Sequence, residues 1–263
     1  VFDRRRPDPT LGVFETILVL DGRPVELDAH LARLEASLAE LFPGQDRPSL
    51  DVQVERGPYA HLSTGTSTGN GGGALRIAVV PGEDGELEAR IEQREVPLGD
   101  FLSLFGSRPT TAKMSLHSFT LAGGLGAHKW ADRSLLDEAQ AGLPAQALPL
   151  IVDADGTVLE ASRANVFAVC SGVLVTPPAD GRILPGVTRM RVLEIAAELG
   201  IDVREIDLRG DDLLTAEEVF LTGSVRGVEV VQALDGAELS RHGEITARIA
   251  AELRGAWAGA KFG

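Results

Sequence analysis

A primary amine can act at only three positions in this chain: Lys113, Lys129 and Lys261, all other members of its 25 basic residues being arginine. Coding bias accounts for a preference for arginine, yet a guanidinium cannot replace an amine in a Schiff base. Lys261 lies in a tail expected to fray. Lys113 lies in T-T-A-K-M-S-L-H (110–117), with no helix pattern after it. Lys129 lies in G-A-H-K-W-A-D-R (126–133), where His128, Lys129, Asp132 and Arg133 fall within six residues. Those charges read either as a solvated cluster at a helix start or as a reactive site. The apolar, Gly-rich approach Gly123-Gly124-Leu125-Gly126-Ala127 and the adjacent Trp130 point to partial burial, and desolvation favours the neutral, nucleophilic amine.

Three other stretches carry groups of interest. Glu160, in L-E-A-S-R-A-N-V-F (159–167), lies between two β-rich runs and by itself reads as a strand-end acid. Leu184-Pro185-Gly186-Val187-Thr188 opens a predicted helix. Its free backbone N–H groups, the positive end of the dipole and a Thr hydroxyl would make a phosphate cradle. Thr222-Gly223-Ser224 is a strand-end turn with two hydroxyls and a glycine, a second candidate anion site. Each of these is common in unrelated chains.

Elements able to position such groups follow from the apolar periods. Phe14 to Leu20 is β-rich, Asp21-Gly22 signals a turn, and Val25 to Leu27 resumes an extended segment, so a hairpin is expected. Leu27, Leu31, Leu34, Leu38 and Leu41 are spaced 4, 3, 4, 3, one face of a helix with Asp28 as N-cap and Pro43-Gly44 as its end. Arg33 falls beside His30 and Ser37, off that stripe, and is read as free to reach a ligand. Ser63 to Gly73 is a low-complexity loop, followed by strands over Ala74–Val80 and Leu87–Val96. Gly99 to Gly126 has weak periodicity and reads as an interdomain connection. Beyond it come a helix from Ser134, strands from Leu148, Val166 and Val173, a helix from Pro185 to Gly200, strands from Glu218 and Val228, and a last amphipathic helix carrying Ile245, Ile249, Leu253 and Trp257. The expected architecture is α/β: a small α+β domain over 1–108, a connection over 109–122 and a larger domain over 123–263.

Composition narrows the function. A net charge of −14 argues against a nucleic-acid partner, which needs a basic footprint. The longest apolar runs fall far short of the ~20 residues of a membrane span. Cys170 stands alone, so no intrachain disulfide and no thiolate metal site are expected. Arg4-Arg5-Arg6 precedes Pro7 rather than an apolar stretch, so no leader is read and the cytoplasm is the expected compartment.

Taken in order, the motifs resemble the fold-type-IV pyridoxal-phosphate (PLP) enzymes: branched-chain aminotransferases, D-amino-acid aminotransferases and aminodeoxychorismate lyases. The resemblance runs from about Leu11 to Leu234. It is carried by G-V-F-E-T (12–16), H-L-A-R-L (30–34), the lysine segment, D-x-x-G-x-x-x-E-x-x-x-x-N-x-F (153–167), L-P-G-V-T-R (184–189) and T-G-S-V-R-G (222–227). It implies that Lys129 is the Schiff-base lysine and proton shuttle, and that Glu160 pairs with the pyridinium nitrogen. Arg33, Val187, Thr188, Gly223 and Ser224 would bind the cofactor phosphate. Arg133 and Arg226 are candidate substrate contacts, and a homodimer with PLP in the cleft between its two domains is expected.

The resemblance also divides the possible reactions. H-K-x-x-x-R around Lys129 and S-V-R-G after the phosphate turn look like the lyases that release pyruvate from 4-amino-4-deoxychorismate and leave 4-aminobenzoate. Aminotransferases of this group often carry an aromatic hydroxyl just after the lysine; here Trp130 stands there, and Tyr59 is the chain's single tyrosine. The expected activity is therefore the lyase. A class IV aminotransferase acting on a branched-chain or D-amino acid is the alternative, and a catalytically silent PLP-binding protein the third reading.

Overall fold

The structure is a computed structural model, and it describes residues 5–20, 22–48, 50, 72–82, 84–95, 114–240 and 243–259. Two compact units divide the chain. The first comprises Pro7–Gly106 and His128–Arg133; the second comprises Val1–Arg6, Ser107–Ala127 and Ser134–Gly263.

In the first unit, β1 (Val13–Leu20) is built of β-branched, aromatic and aliphatic residues that suit a pleated, buried surface. The short β2 (Arg23–Pro24) folds back on its end. Helix α1 (Leu27–Leu41) follows, and β3 (Gly72–Pro81) and β4 (Leu87–Glu95) complete an antiparallel sheet in the order β2-β1-β3-β4. The register Val13↔Val79, Glu15↔Ile77 and Ile17↔Leu75 puts one face of β1 and β3 against α1. Leu31, Leu34 and Leu38 pack there with Ile17, Val19, Leu75, Ile77 and Val79, each such side chain contributing roughly 1.5–3 kcal/mol when fully buried. Two expectations for α1 are corrected. Its N-cap is Glu26, with no side-chain cap bond, and Asp28 lies in the first turn. His30 and Ser37 are buried with the leucine stripe rather than set on a polar flank, because Glu15 on the facing strand supplies His30 with a polar partner.

The His128–Arg133 segment lies along the part of β1 that β2 is too short to cover. Phe14 N donates to Lys129 O at 2.9 Å and Ala131 N to Gly12 O at 3.0 Å, around an antiparallel bridge Val13↔Trp130. Trp130 packs against the first unit's core. The domain boundaries expected from sequence are thereby corrected at two points. The lysine segment groups with the first unit, and the stretch read as a connection contains a strand of the second, β5 (Ser115–Thr120). The backbone needs of β1 and of the strand Ala147–Val152, distant in sequence, decide both.

The second unit continues with α2 (Ser134–Gln140), β6 (Ala147–Val152), β7 (Thr157–Ala161), β8 (Asn165–Cys170), β9 (Val173–Thr176), α3 (Val187–Glu198), β10 (Val203–Glu205), β11 (Leu208–Arg209), α4 (Gly210–Thr215), β12 (Glu218–Gly223), β13 (Gly227–Val230), β14 (Ala233–Leu234), β15 (Ala237–Glu238) and α5 (Glu244–Gly259). Among the described residues these strands form a six-stranded sheet, β11-β7-β6-β5-β14-β15, and a five-stranded sheet, β10-β9-β8-β12-β13. One core joins Leu116, Leu148, Leu150 and Val158 of the first sheet to Val166, Ala168, Val219 and Leu221 of the second. Near-continuous apolar strands such as β6 and β8 are what burial on both faces requires. The buried Glu218 accepts from Ile245 N and Thr246 N, capping α5.

The approach to the lysine segment is set by one glycine. Gly124 adopts φ 64, and a Cβ there would stand 2.2 Å from Arg182 O. Arg182 is itself held by Asp153, Asp180 and Asp207. A side chain at position 124 would therefore displace a pinned backbone.

Candidate active site

In the second unit, three chain segments separated in sequence meet at strand and helix ends. Glu160 lies within β7, near its end, and is buried. Its two carboxylate oxygens each accept from Leu184 N at 3.3 Å, and Oε2 also accepts from Asn165 Nδ2 at 3.3 Å. Asn165, the first residue of β8, donates as well to Leu184 O at 2.9 Å. These bonds tie the carboxylate to the turn that begins α3. The N-cap of α3 is Gly186, and a Cβ there would stand 2.0 Å from Asn165 Oδ1. The glycine is thus required by close approach, not by its φ of −65. Val187 and Thr188 occupy the first turn, where backbone N–H groups have no intrahelical acceptor.

Two hydroxyls stand out there. Thr188 Oγ1 and Thr222 Oγ1 are buried and have no hydrogen-bond partner among the described residues. Thr222 pairs in register with Asn165 across β12 and β8, so the second hydroxyl belongs to the same strand ends. Gly223 closes β12, and a Cβ on it would come 3.7 Å from Arg163 O. A buried hydroxyl without a partner costs about 1–3 kcal/mol. Two of them beside a helix N-terminus suit an anionic ligand.

In the first unit, Lys129 and Arg33 are held by separate contacts. Lys129 Nζ lies 4.9 Å from the centroid of the Phe14 ring, while Arg76 Cζ lies over the same ring at 3.7 Å. His128 Nδ1 is 3.1 Å from Ser37 Oγ, which ties the lysine segment to α1. Arg33, read from sequence as able to reach a ligand, donates Nε to Glu15 Oε1 at 2.8 Å and Nη2 to Glu15 Oε2 at 2.6 Å. Burial pushes the Glu15 carboxyl up, but the His30 and Arg33 hydrogen bonds and charges outweigh it and hold the value at about 2.

The family model for class IV amino-transferases matches residues 12–234. The chain belongs to the class IV aminotransferases. The branched-chain-amino-acid aminotransferase of Escherichia coli is 38% identical over 112 residues, which are 42% of this chain and 36% of that protein; the chain thus matches little more than a third of the length of the first such relatives. A putative branched-chain-amino-acid aminotransferase of Methanocaldococcus jannaschii is 30% identical over 263 aligned positions, covering 90% of this chain and 84% of the relative. Among solved structures, a hypothetical aminotransferase from Mycobacterium tuberculosis, in its α-ketoglutarate and PMP bound form, superposes with a TM-score of 0.80 at 26% identity, covering 94% of this chain and 89% of that one. The 4-amino-4-deoxychorismate lyase from Pseudomonas aeruginosa gives 0.73 at 25% identity, covering 97% and 95%.

The class IV aminotransferases are PLP-dependent and of fold type IV, and residues of this chain can be tested against that cofactor. A phosphorylated pyridine aldehyde needs an anion cup, a carboxylate for its ring nitrogen and an amine. Within the second unit, the orphaned Thr188 and Thr222 hydroxyls and the α3 N-terminus match the first of these needs and the buried Glu160 the second, while Lys129 of the first unit carries an amine. Sequence reasoning singled out Lys129, Glu160, Thr188 and Gly223 and included Thr222 in a candidate anion turn, but assigned no role to Asn165, Glu15 or His30. The spacing from Glu160 to Asn165 was a signal for one of these. An acid at position 15 within an apolar strand was a signal for another. Arg226 is half-exposed, and its Nη1 donates to Glu229 at 2.8 Å; Arg133 is half-buried in the first unit and Ser224 half-buried in the second. Lys113, Lys261 and Tyr59 lie outside the described residues. No helix among the described residues is long and apolar enough to cross a membrane.

Proposed function

We propose that this chain is a PLP-dependent lyase converting 4-amino-4-deoxychorismate into 4-aminobenzoate and pyruvate. The observation that carries the reading is the lysine segment His128–Arg133: an arginine follows Lys129 by four residues, and the next position holds Trp130, committed to the core rather than presenting a phenol. Arg33, Val187, Thr188, Gly223 and Ser224 bind the phosphate, joined by Thr222. Glu160, oriented by Leu184 N and Asn165, holds a proton at the ring nitrogen. When bound, PLP supplies an electron sink next to the amino-bearing carbon of the substrate. The Lys129 amine would hold the cofactor and, in its free form, would remove the proton from that carbon. The adjacent carbon–oxygen bond then breaks, and the departing enolpyruvate takes up a proton to become pyruvate. No oxidant and no water are consumed, and the ring left behind is aromatic, which drives the step.

The substrate and the assembly belong to this reading: a small-molecule amine bound by a homodimer in the cytoplasm, with Arg133 and Arg226 as substrate contacts. A class IV aminotransferase acting on a branched-chain or D-amino acid is the second reading, favoured by the name of the M. jannaschii relative. The test is to incubate the PLP-loaded chain with aminodeoxychorismate, and separately with a panel of amino acids plus 2-oxoglutarate. Equimolar 4-aminobenzoate and pyruvate support the lyase; glutamate formation with no pyruvate release replaces it by the aminotransferase.

A further inference from the structure

We propose that Glu15 is a positioning residue for anion recognition: it grips the Nε–Nη2 edge of Arg33 and so sets the guanidinium in the plane from which it binds the cofactor phosphate. The proposal rests on the phosphate role of Arg33 given above.

Glu15 is in an unexpected place. It sits on the face of β1 that carries Val13, Ile17 and Val19, opposite Ile77, and is 1% exposed. A valine there would serve the sheet better, since an ion taken out of water costs several kcal/mol before its partners repay it. Three hydrogen bonds repay it, all from α1: His30 Nδ1 at 2.7 Å, and Arg33 Nε and Nη2 at 2.8 and 2.6 Å. His30 and Arg33 are three residues apart, the spacing that puts two side chains on one side of a helix. Both carboxylate oxygens are used, each with a donor from Arg33, so the contact fixes the rotation of the guanidinium as well as its position.

The geometry of arginine then has a consequence. The guanidinium is planar and rigid, and an acceptor pair on its Nε–Nη2 edge turns the Nη1 edge away from Glu15. A charge neutraliser needs no such side-on grip. An arginine presented to a phosphate does, because a free side chain loses up to ~2 kcal/mol of rotamer entropy on being fixed. The carboxyl, held at about 2 by its partners, remains ionised through the neutral range. The negative charge of Glu15 works against anion binding, while the orientation it imposes works for it; the proposal is that orientation wins.

The experiment measures equilibrium binding of PLP and of pyridoxal, which lacks the phosphate, to the full chain and to Glu15→Gln, Glu15→Asp, Arg33→Met and the Glu15→Gln/Arg33→Met double variant. Thermal melts of each are recorded alongside. Arg33→Met is expected to lower the PLP-to-pyridoxal affinity ratio about 10- to 150-fold, the range of a lost hydrogen bond to a charged group. Glu15→Gln and Glu15→Asp are expected to lower it about 5- to 10-fold, leaving pyridoxal binding within about twofold, and the double variant to match Arg33→Met alone, since the two act through one contact. If Glu15→Gln does not fold, Glu15→Asp, which keeps the charge but is too short for the same grip, decides. A fall in PLP and pyridoxal affinity by equal factors would mean a structural role and overturn the proposal. So would an unchanged ratio, a raised ratio or additive effects in the double variant. Were Arg33→Met itself without effect on the ratio, the phosphate role of Arg33 would fall and this inference with it. An effect of Arg33→Met but none of the Glu15 variants would sink the inference alone.

Discussion

In the first unit the buried polar groups at the contact of β1 with α1 answer one another, although Gln93 Nε2 on β4 is buried with no hydrogen-bond partner among the described residues. Glu15 is paid back by His30 and Arg33 across the interface of β1 and α1, and His128 meets Ser37. In the second unit, Glu160 and Asn165 are likewise tied to the turn before α3, but Thr188 and Thr222 bury hydroxyls with no partner among the described residues. The first arrangement is complete without a ligand. The second carries a cost of about 1–3 kcal/mol per hydroxyl that a bound acceptor would remove. An anion bound at the start of α3 should therefore stabilise the second unit through new bonds.

The largest effect expected on either side of this comparison is at Lys129. With three lysines in the chain, borohydride reduction of the PLP-loaded protein should trap one pyridoxyl-lysine, and peptide mapping should place it at Lys129. Lys129→Ala and Lys129→Arg should both abolish the adduct and turnover, because the arginine keeps the charge and offers no nucleophilic amine. An adduct on Lys113 would reassign the role.

Glu160→Gln should come next. The amide still accepts from Leu184 N and so keeps the turn, yet it holds no proton at a ring nitrogen. We expect cofactor binding within a few-fold of wild type and a fall in kcat of about 100-fold or more, the usual scale of general acid–base contributions. Loss of binding with kcat preserved would make Glu160 a structural acid.

The two orphaned hydroxyls allow a test in which stability and affinity move in opposite directions. Thr188→Val and Thr222→Val are near-isosteric and remove an unsatisfied group. The cofactor-free protein should melt at the same temperature or a few degrees higher, while PLP affinity falls about 3- to 10-fold per hydroxyl. A lower melting temperature without cofactor would mean that these hydroxyls already have partners.

The smallest expected effect is a pH dependence in the first unit. The folded-state value of Glu15, about 2, lies below its ordinary 4.5. The stability it contributes is therefore fully present above pH 4.5 and is lost as pH falls toward 2. Denaturant melts across that window should show wild type losing stability more steeply than Glu15→Gln. Parallel slopes would show that the carboxylate is not the coupled group.

Local periods carried most of the elements. Leucines spaced 4, 3, 4, 3 became α1, and the β-rich run from Phe14 became β1, because side-chain spacing along one element is a local property. Arg33 shows the limit: its position on the helix was legible, its partner was not, because Glu15 lies 18 residues earlier on a strand. β5 was missed for a similar reason. Its Ser, His and Thr residues give no clear alternation, and it is held as a strand by backbone pairing with β6 and β14.

What this sequence determined by itself was chemistry tied to residue type and order: one amine in a structured context, an acid five residues before an asparagine, a glycine at a helix start, and their succession along the chain. What only the tertiary structure decided was company. The lysine segment belongs with β1 because the backbone N–H of Phe14 and the carbonyl of Gly12 needed partners that β2 was too short to supply. Packing enclosed two threonine hydroxyls, legible in the sequence as candidate donors, without a partner among the described residues, and an isolated acid in β1 became half of an arginine grip only once α1 lay across it. Burial and pairing across long sequence separations create these properties, and neither leaves a period in the chain that a local reading can find.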